Sequence, residues 1–265
     1  MKTYKTHLSE KESDITIISD SKMAILKAKE SFFFHRKNLE RYVAKNKDFL
    51  NSFSPIRVNT EFQIVNIMAE AAEICDVGPM ASVAGALADL MCNSMKNPGD
   101  SENFDSYPCK IALVENGGEI SIDSEEPLTI ALYAGENELN LNLGFLIKKE
   151  DCPIGIATSS ATIGHAISFG QADAVTIFAK NAALADAAAT KICNLVKGKD
   201  VEKSINLGLD AIDNIEGVHG ALISREDRVG KTGKLPKLIK IEGHKINLLK
   251  RTKSISFVGE NEIFK

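Results

Sequence analysis

The chain has 265 residues, with 44% hydrophobic and 26% charged side chains and a formal net charge of −4. This length allows one large domain or two modest ones, and a mildly acidic chain without a long basic stripe is not expected to bind nucleic acid. No apolar run is long enough to span a bilayer and no apolar signal region opens the chain, so we expect a soluble, cytoplasmic protein with no membrane partner. Five widely spaced cysteines without a CxxC pair indicate free thiols.

The first part of the chain is predicted to be mainly helical after an opening hairpin. The residue at position 60 begins a helix, because Thr60 and Gln63 have the spacing of a capping box. Three consecutive phenylalanines, Phe32 to Phe34, are interpreted as core or interface anchors. In chain order we predict strands over residues 2–8 and 14–19, a charged amphipathic helix over residues 21–50, the helix from residue 60, and a helix rich in small residues over residues 82–95.

Strands dominate the later part of the chain. We predict strands over residues 110–114, 119–122, 128–133, 141–147, 154–158 and 174–179, helices over residues 181–196 and 201–215, and short C-terminal strands such as residues 237–241. There is no regular alternation of strand and helix. The fold class is therefore predicted to be α+β, with a largely antiparallel sheet and flanking helices.

The sharpest functional signal is the segment 155–165, where a buried strand runs into a hydroxyl-rich turn that contains His165. Such a turn suits phosphate, and His165 suits a phosphate contact or acid–base role, although a lone histidine is more often structural. On the next helix Asp186 and Thr190 share one face, where they can offer two oxygens to a hard cation. The alternative is that Asp186 favours the helix start and Thr190 bonds back to a helix carbonyl.

Two glycine-bearing segments each allow a structural and a functional interpretation. Asn116-Gly117-Gly118-Glu119 is typical of a tight hairpin turn, but glycines there also let a ligand approach the backbone while Glu119 supplies an acceptor at the rim. The loop at Gly78 leads into a helix, which suits an anion or simply close helix packing. The P-loop and dinucleotide fingerprints are both absent, so a Walker or Rossmann site is rejected.

Taken together and in this order, these segments resemble the ApbE-like superfamily of flavin transferases, and in particular its compact branch common in methanogenic archaea. The resemblance implies one ApbE-like domain over residues 1–265 with a motif-bearing core at about residues 78–196. The matching pieces are residues 78–89, 114–120, 157–159 and 184–190. They cover roughly the middle of the chain, and the ordered set is more specific than any single member.

Active members of that superfamily cleave FAD in the presence of magnesium and place the FMN phosphate on a threonine of an acceptor protein. The resemblance therefore implies Mg²⁺ and FAD, or another phosphate-bearing ligand, and an acceptor protein as partner. By position, Asp186 and Thr190 match the metal-ligand pair, Asp186 and His165 are the implied catalytic residues, and Asp89 matches an acidic position that closes the earlier helix. The implied cofactor-binding residues are Gly117, Gly118, Glu119, Thr158, Ser159 and Ser160.

The chain also departs from the transferase pattern. Where the transferases carry Lys-Gly this chain has Ala84-Gly85, and of their longer histidine segment only the surroundings of His165 remain. The lipoprotein signal of the bacterial transferases is absent too. Two functions therefore stay open: FAD-dependent transfer of FMN or a phosphoryl group, and a non-catalytic binding or assembly protein that keeps the fold. A homo-oligomer is left open as well.

Overall fold

A computed structural model describes residues 2–97, 109–131, 143–160 and 170–241. His165 lies outside the described residues. The strands and helices, in chain order, are β1 (Tyr4–Glu10), β2 (Ser13–Ser19), α1 (Lys22–Lys45), α2 (Lys47–Asn51), α3 (Gln63–Cys75), α4 (Val83–Lys96), β3 (Ile111–Asn116), β4 (Glu119–Ser124), β5 (Leu128–Ala131), β6 (Leu143–Ile147), β7 (Ile154–Ser159), β8 (Ala174–Ala179), α5 (Ala182–Leu195), α6 (Val201–Ile212), β9 (Val218–Arg225), β10 (Arg228–Gly233) and β11 (Lys237–Lys240). Short 3₁₀ helices precede α4 and β7.

The main sheet has eight strands in the order β1-β2-β3-β4-β7-β8-β9-β10, and every neighbouring pair is antiparallel. Strand order departs from chain order only between β4 and β7. The intervening strands β5 and β6 join β11 in a separate antiparallel sheet of three strands. The predicted α+β class with a largely antiparallel sheet is confirmed.

The main sheet separates two hydrophobic cores. Successive side chains of a strand point to opposite faces, so Ile15 and Ile17 pack with the helices while Ile18 packs towards the small sheet. The same alternation places Val114 on the helix side and Leu113 on the small-sheet side. The molecule is therefore a layer of helices, the eight-stranded sheet and the three-stranded sheet. The cysteines are all free thiols, as predicted, and all but Cys152 are buried.

Two predictions about the early helices are wrong. The long helix does not run to residue 50 but ends at Lys45, because Asn46 leaves the helical region of backbone space with φ −126° and ψ 74°. Its N–H still donates to the Tyr42 carbonyl as the last bond of α1, and α2 begins at Lys47. The capping box at Thr60 does not form. The Thr60 hydroxyl instead accepts the Phe62 N–H at 3.3 Å, a local turn that delays the start of α3 to Gln63.

A buried arginine connects the end of β9 to the α5–α6 connection. Arg225 Nη1 donates to Ser204 Oγ at 2.7 Å, and Nη2 donates to Gln171 Oε1 at 2.8 Å and to the Gly198 carbonyl at 2.6 Å. The planar guanidinium reaches acceptors in three separate segments because its two Nη atoms point in different directions, whereas a lysine has a single donor nitrogen. Arg225 therefore fixes the path of the chain between α5 and α6.

No single helix within the described ranges is both long and apolar enough to cross a membrane. The segments Gln63–Cys75 and Pro79–Lys96 are long and apolar enough only when taken together, and the chain bends by 103° at the break between them.

Candidate functional site

The two glycines of the Asn116–Glu119 segment form the tight turn between β3 and β4. Gly117 has φ +72° and Gly118 has φ +123°, a backbone region that favours glycine. The Gly117 N–H donates to the Asp14 carbonyl at 3.0 Å, and the Gly118 N–H donates to Glu115 Oε1 at 3.1 Å. The structural interpretation of this segment as a hairpin turn is confirmed, and its role in ligand binding stays a prediction.

The end of β3 is tied to the start of α4, and α4 is tied to α5. Asn116 Nδ2 donates to the Ala84 carbonyl at 3.1 Å, and the Gly85 N–H donates to Asp186 Oδ2 at 3.0 Å. Asp186 therefore points to the first turn of α4 and not to bulk solvent. These two bonds bring the Gly-Gly turn, the Ala84-Gly85 pair and Asp186 into one place.

The two helices are held close by a reciprocal exchange of hydrogen bonds, which we call the α4–α5 seam. Asp89 on α4 accepts the Ala182 and Ala183 N–H groups at the start of α5, both at 2.9 Å, while Asp186 on α5 accepts from Gly85 on α4. A Cβ atom at Gly85 would lie 2.2 Å from the Ala182 carbonyl oxygen. Both Asp89 oxygens are thus used as a helix cap, so Asp89 acts as a structural residue in this fold.

Two carboxyl groups of the site have strongly perturbed acidity. Burial raises the pKa of Asp186 to about 7, and the negative charge of Asp89 adds to the rise, against the hydrogen bonds from Gly85 and Ala84. Burial also raises the pKa of Glu119 well above its usual range, as do the charges of Asp186 and Glu115. Asp186 and Glu119 form no ion pair with the described lysines, arginines or histidines.

The hydroxyl residues at the end of β7 lie on two faces of the sheet. Thr158 Oγ1 is 3.0 Å from Thr176 Oγ1 of β8, on the small-sheet side, whereas Ser159 follows the alternation to the helix side with Asp186. The Thr158 carbonyl is 3.9 Å from where a Cβ of Gly118 would stand, so β7 ends beside the Gly-Gly turn. Sequence reasoning missed Thr176, although a hydroxyl in the otherwise apolar strand Ala174–Ala179 was a usable signal.

Thr190 and Ser160 are the remaining predicted site residues. Thr190 is half-buried one helical turn after Asp186 on the same face of α5, and Ser160 is half-buried directly after β7. The structure therefore brings together Gly117, Gly118, Glu119 and Asp186, with Thr190 one turn further along α5. Ser159 lies on the same side of the sheet as Asp186. Their catalytic, cofactor-binding and metal-binding roles stay predictions.

The oxygen donors near Asp186 fit a metal site that is shared with a ligand. Within the described ranges no group of three or more histidine, cysteine, aspartate or glutamate side chains could hold a metal ion. Mg²⁺ usually takes one or two carboxylates and completes its octahedron with waters and phosphate oxygens, so Asp186, Thr190 and Glu119 fit a magnesium ion that a phosphate-bearing ligand completes.

A cavity of about 270 Å³ lies at the other end of the α4–α5 seam. Its apolar wall includes Ile67 of α3. Its polar lining consists of Glu70, Asp89, Asn93, Ser121, Lys180 and Asn181. Neither Asp186 nor Glu119 lines it. The cavity is thus a neighbour of the candidate site and not part of it.

Solved structures that align with this chain include two flavin transferases. The apo form of the flavinyl transferase ApbE of Pseudomonas stutzeri aligns with a TM-score of 0.50 and 13% identity, covering 88% of this chain and 94% of that one. A mutant form of the flavin transferase ApbE from Vibrio cholerae aligns with a TM-score of 0.50 and 12% identity over 88% and 97% of the two chains. At this level of identity the similarity defines the fold, which is the ApbE fold.

Sequence comparison gives the family. The family model described as "AbpE bacteria" matches residues 1–209. A UPF0280 protein of Methanocaldococcus jannaschii is 42% identical over 90% of this chain and 94% of its own length, and one of Methanopyrus kandleri is 36% identical over 92% and 96%. The chain belongs to this ApbE-like family, in the branch found in methanogenic archaea, as the motifs had indicated.

Proposed function

We propose that this protein binds a magnesium ion together with the phosphates of a flavin nucleotide, and that it acts in FAD-dependent transfer of FMN or of a phosphoryl group to an acceptor protein. The cytoplasm is the proposed location. The observation that carries the proposal is Asp186, a carboxylate aimed at the first turn of α4, close to Glu119 and without a cationic partner in the described part of the chain.

The electrostatics of the site explain why a cation and an anionic ligand would be bound together. Two carboxylates with little solvent repel each other, and a divalent cation between or beside them relieves that repulsion. The same cation needs more oxygen ligands than Asp186, Thr190 and Glu119 supply. Phosphate oxygens meet that need, which is why we expect metal and nucleotide to bind cooperatively.

Each residue then has a distinct role. Asp186 gives up its proton to become a ligand, with Oδ2 held by the Gly85 N–H. Gly117 and Gly118 leave the turn without side chains, so a ligand can approach the backbone closely. Bound magnesium would supply charge neutralisation on the diphosphate of FAD and so favour departure of AMP.

Thermal-shift measurements test the shared site. Mg²⁺, FAD, FMN and AMP are added singly and in pairs, and we expect a metal–nucleotide pair to raise the midpoint beyond the larger single effect. Thr190→Val should abolish that extra shift, because it removes the hydroxyl and keeps the shape, whereas the matched control Thr6→Val in β1 should retain it. If no pair raises the melting midpoint beyond the larger effect of its two components, the shared site is refuted.

A specific observation favours a binding function without turnover. Ala84 stands where the transferases carry a lysine, and loss of one well-placed electrostatic donor slows catalysis by roughly 10²–10³-fold. Under this alternative, chromatography should detect little or no AMP after the protein is incubated with FAD and Mg²⁺. Brisk release that Asp186→Asn abolishes would favour the transferase. Cooperative binding of Mg²⁺ and nucleotide without release of AMP, combined with AMP release in the Ala84→Lys variant, would favour a binding protein that lacks the catalytic lysine side chain.

A further inference from the structure

The outward face of α1 exposes four large apolar side chains. The exposed fractions are 37% for Met23, 52% for Leu26, 48% for Phe33 and 62% for Phe34. At 3.6 residues per turn these four side chains fall within about 100° of the helix circumference. Four such side chains, each about half exposed, leave roughly 400 Å² of apolar surface, an amount that on a monomer commonly marks an interaction site.

Positive charges surround this apolar surface. Lys22, Lys29, Lys37 and Arg41 lie on the same side of α1, and none forms an ion pair with an acidic residue in the described ranges. Lys22 lies over the Tyr4 ring at 5.1 Å and Arg41 over the Phe62 ring at 5.6 Å, and both keep their positive charge. The acidic residues of that side are already neutralised. Glu30 is paired with Lys27 at 3.1 Å, and Glu40 is paired with Lys11 at 2.7 Å and with Arg36 at 3.2 Å. The local charge is therefore positive in a chain whose formal net charge is −4.

We propose that this α1 patch, made of Met23, Leu26, Phe33, Phe34 and the four cations around them, binds the surface of an anionic lipid bilayer. Helices that lie in a membrane interface combine phenylalanine and leucine on one side with flanking lysine and arginine. The apolar side chains would enter the boundary between headgroups and acyl chains, while the cations contact lipid phosphates. This is adsorption of a folded protein to a surface and not a membrane span, and it departs from the expectation, drawn from the sequence, of no membrane partner.

Charge and shape favour lipid over the other partners. Two copies of the chain meeting through this face would bring eight positive charges together without free acidic groups to balance them. The face is also convex, since it is one side of a single helix whose other side is buried through residues such as Ile25 and Phe32. Its exposed positions from 22 to 37 are apolar or charged, so it carries no set of neutral hydrogen-bonding groups that would select a particular protein surface.

Vesicle flotation with the full chain tests this inference independently of the proposed function. We expect binding to vesicles that contain phosphatidylglycerol and not to vesicles of phosphatidylcholine alone, with affinity falling as salt rises. Lys29→Gln combined with Lys37→Gln should weaken binding roughly 30-fold, since each cation near an anionic surface contributes about a fivefold factor. Leu26→Ser combined with Phe34→Ser should weaken it by roughly 10-fold or more.

Matched variants elsewhere on the surface control for general effects. Leu207 is exposed to the same 52% on α6, and Lys199 and Lys203 are exposed near the start of that helix. Leu207→Ser and the Lys199→Gln, Lys203→Gln pair should bind vesicles like the unsubstituted chain. Circular dichroism and thermal melting establish that all variants are folded, which is expected because every substituted side chain is at the surface.

Several outcomes would overturn the inference. Absence of binding to phosphatidylglycerol vesicles at low salt would do so, and so would equal losses in the α1 and control variants. A concentration-dependent dimer that Leu26→Ser with Phe34→Ser dissolves, without vesicle binding, would mean that a second copy covers the face. Binding to polyglutamate that depends on the same residues, again without vesicle binding, would assign the face to an acidic protein.

Discussion

Replacing Asp186 by asparagine removes one negative charge from the site and preserves its main hydrogen bond. The asparagine Oδ1 can accept the Gly85 N–H that Asp186 Oδ2 accepts at 3.0 Å. The substitution also removes a charge that raises the pKa of Glu119. Asp186→Asn therefore changes the electrostatics of the site while leaving the α4–α5 seam in place.

The magnitude follows from the pKa of Asp186, which burial raises from 3.8 to about 7. The folded state then keeps a proton at pH values where the unfolded chain has lost it, so the free energy of unfolding falls as pH rises from about 4 to about 7 and then levels off. One pKa unit corresponds to about 1.4 kcal/mol. The full shift is equivalent to roughly 4 kcal/mol, and partial access of the side chain to water reduces this to roughly 2–3 kcal/mol.

Urea denaturation between pH 4 and pH 8 measures the effect. At pH 8 we expect Asp186→Asn to be more stable than the unsubstituted chain by roughly 2–3 kcal/mol, and at pH 4 the two should be equal within error. Magnesium with a bound nucleotide should narrow the gap at pH 8, because only the unsubstituted site binds the cation through a carboxylate.

The control is Asp210→Asn on α6, an exposed aspartate outside the site. That variant should follow the unsubstituted chain at every pH. The free energy of unfolding of Asp186→Asn and that of the unsubstituted chain should differ more at pH 8 than at pH 4. A constant difference from pH 4 to pH 8, or a less stable Asp186→Asn at pH 8, would refute a raised pKa of Asp186.

Three further substitutions test the architecture around the site, each by urea denaturation. Asp89→Ala leaves two N–H groups at the start of α5 without an acceptor and should lower the free energy of unfolding by roughly 2–4 kcal/mol. Asp200→Ala, which removes the exposed cap of α6, should lower it by about 1 kcal/mol. Equal losses would show that the buried cap contributes no more than an exposed one. Gly85→Ala places a Cβ 2.2 Å from the Ala182 carbonyl oxygen, so we expect a loss of roughly 2–3 kcal/mol, and a neutral result would mean that the seam can open freely. Arg225→Lys forfeits at least two of three hydrogen bonds and should cost roughly 2–4 kcal/mol, whereas an unchanged midpoint would show that the α5–α6 connection is held by other contacts.

Local patterns in the sequence were sufficient to predict much of the sheet. Alternation of apolar and polar residues located β1 and β2, apolar runs located the strands from β3 to β8, and the glycines at 117 and 118 identified the turn between β3 and β4. These features depend on neighbours along the chain, which is why one sequence suffices. Membership of β5 and β6 in a separate sheet could not be predicted, because their residues are apolar like those of the main sheet.

The site shows the same division between local and distant information. Asp186 and Thr190 were predictable as a pair because one turn of helix separates them. Asp89 was matched by resemblance to an acidic position that closes the earlier helix, and the structure shows that it caps a helix that begins 93 residues later in the chain. Nothing in the sequence near Asp89 records that contact. Likewise, Thr158 and Ser159 are adjacent in sequence but serve opposite faces of the sheet.

Two adjacent positions in the α4–α5 seam, Gly85 and Ala84, differ in their tolerance to substitution. Gly85 is locked by the approach of the Ala182 backbone, so any side chain at that position would disturb the packing of the helices. Its neighbour Ala84 contributes a backbone carbonyl to Asn116, a contact that any residue could make. A lineage could therefore gain or lose a cationic side chain at position 84 while the packing of α4 against α5, which depends on Gly85, stays unchanged.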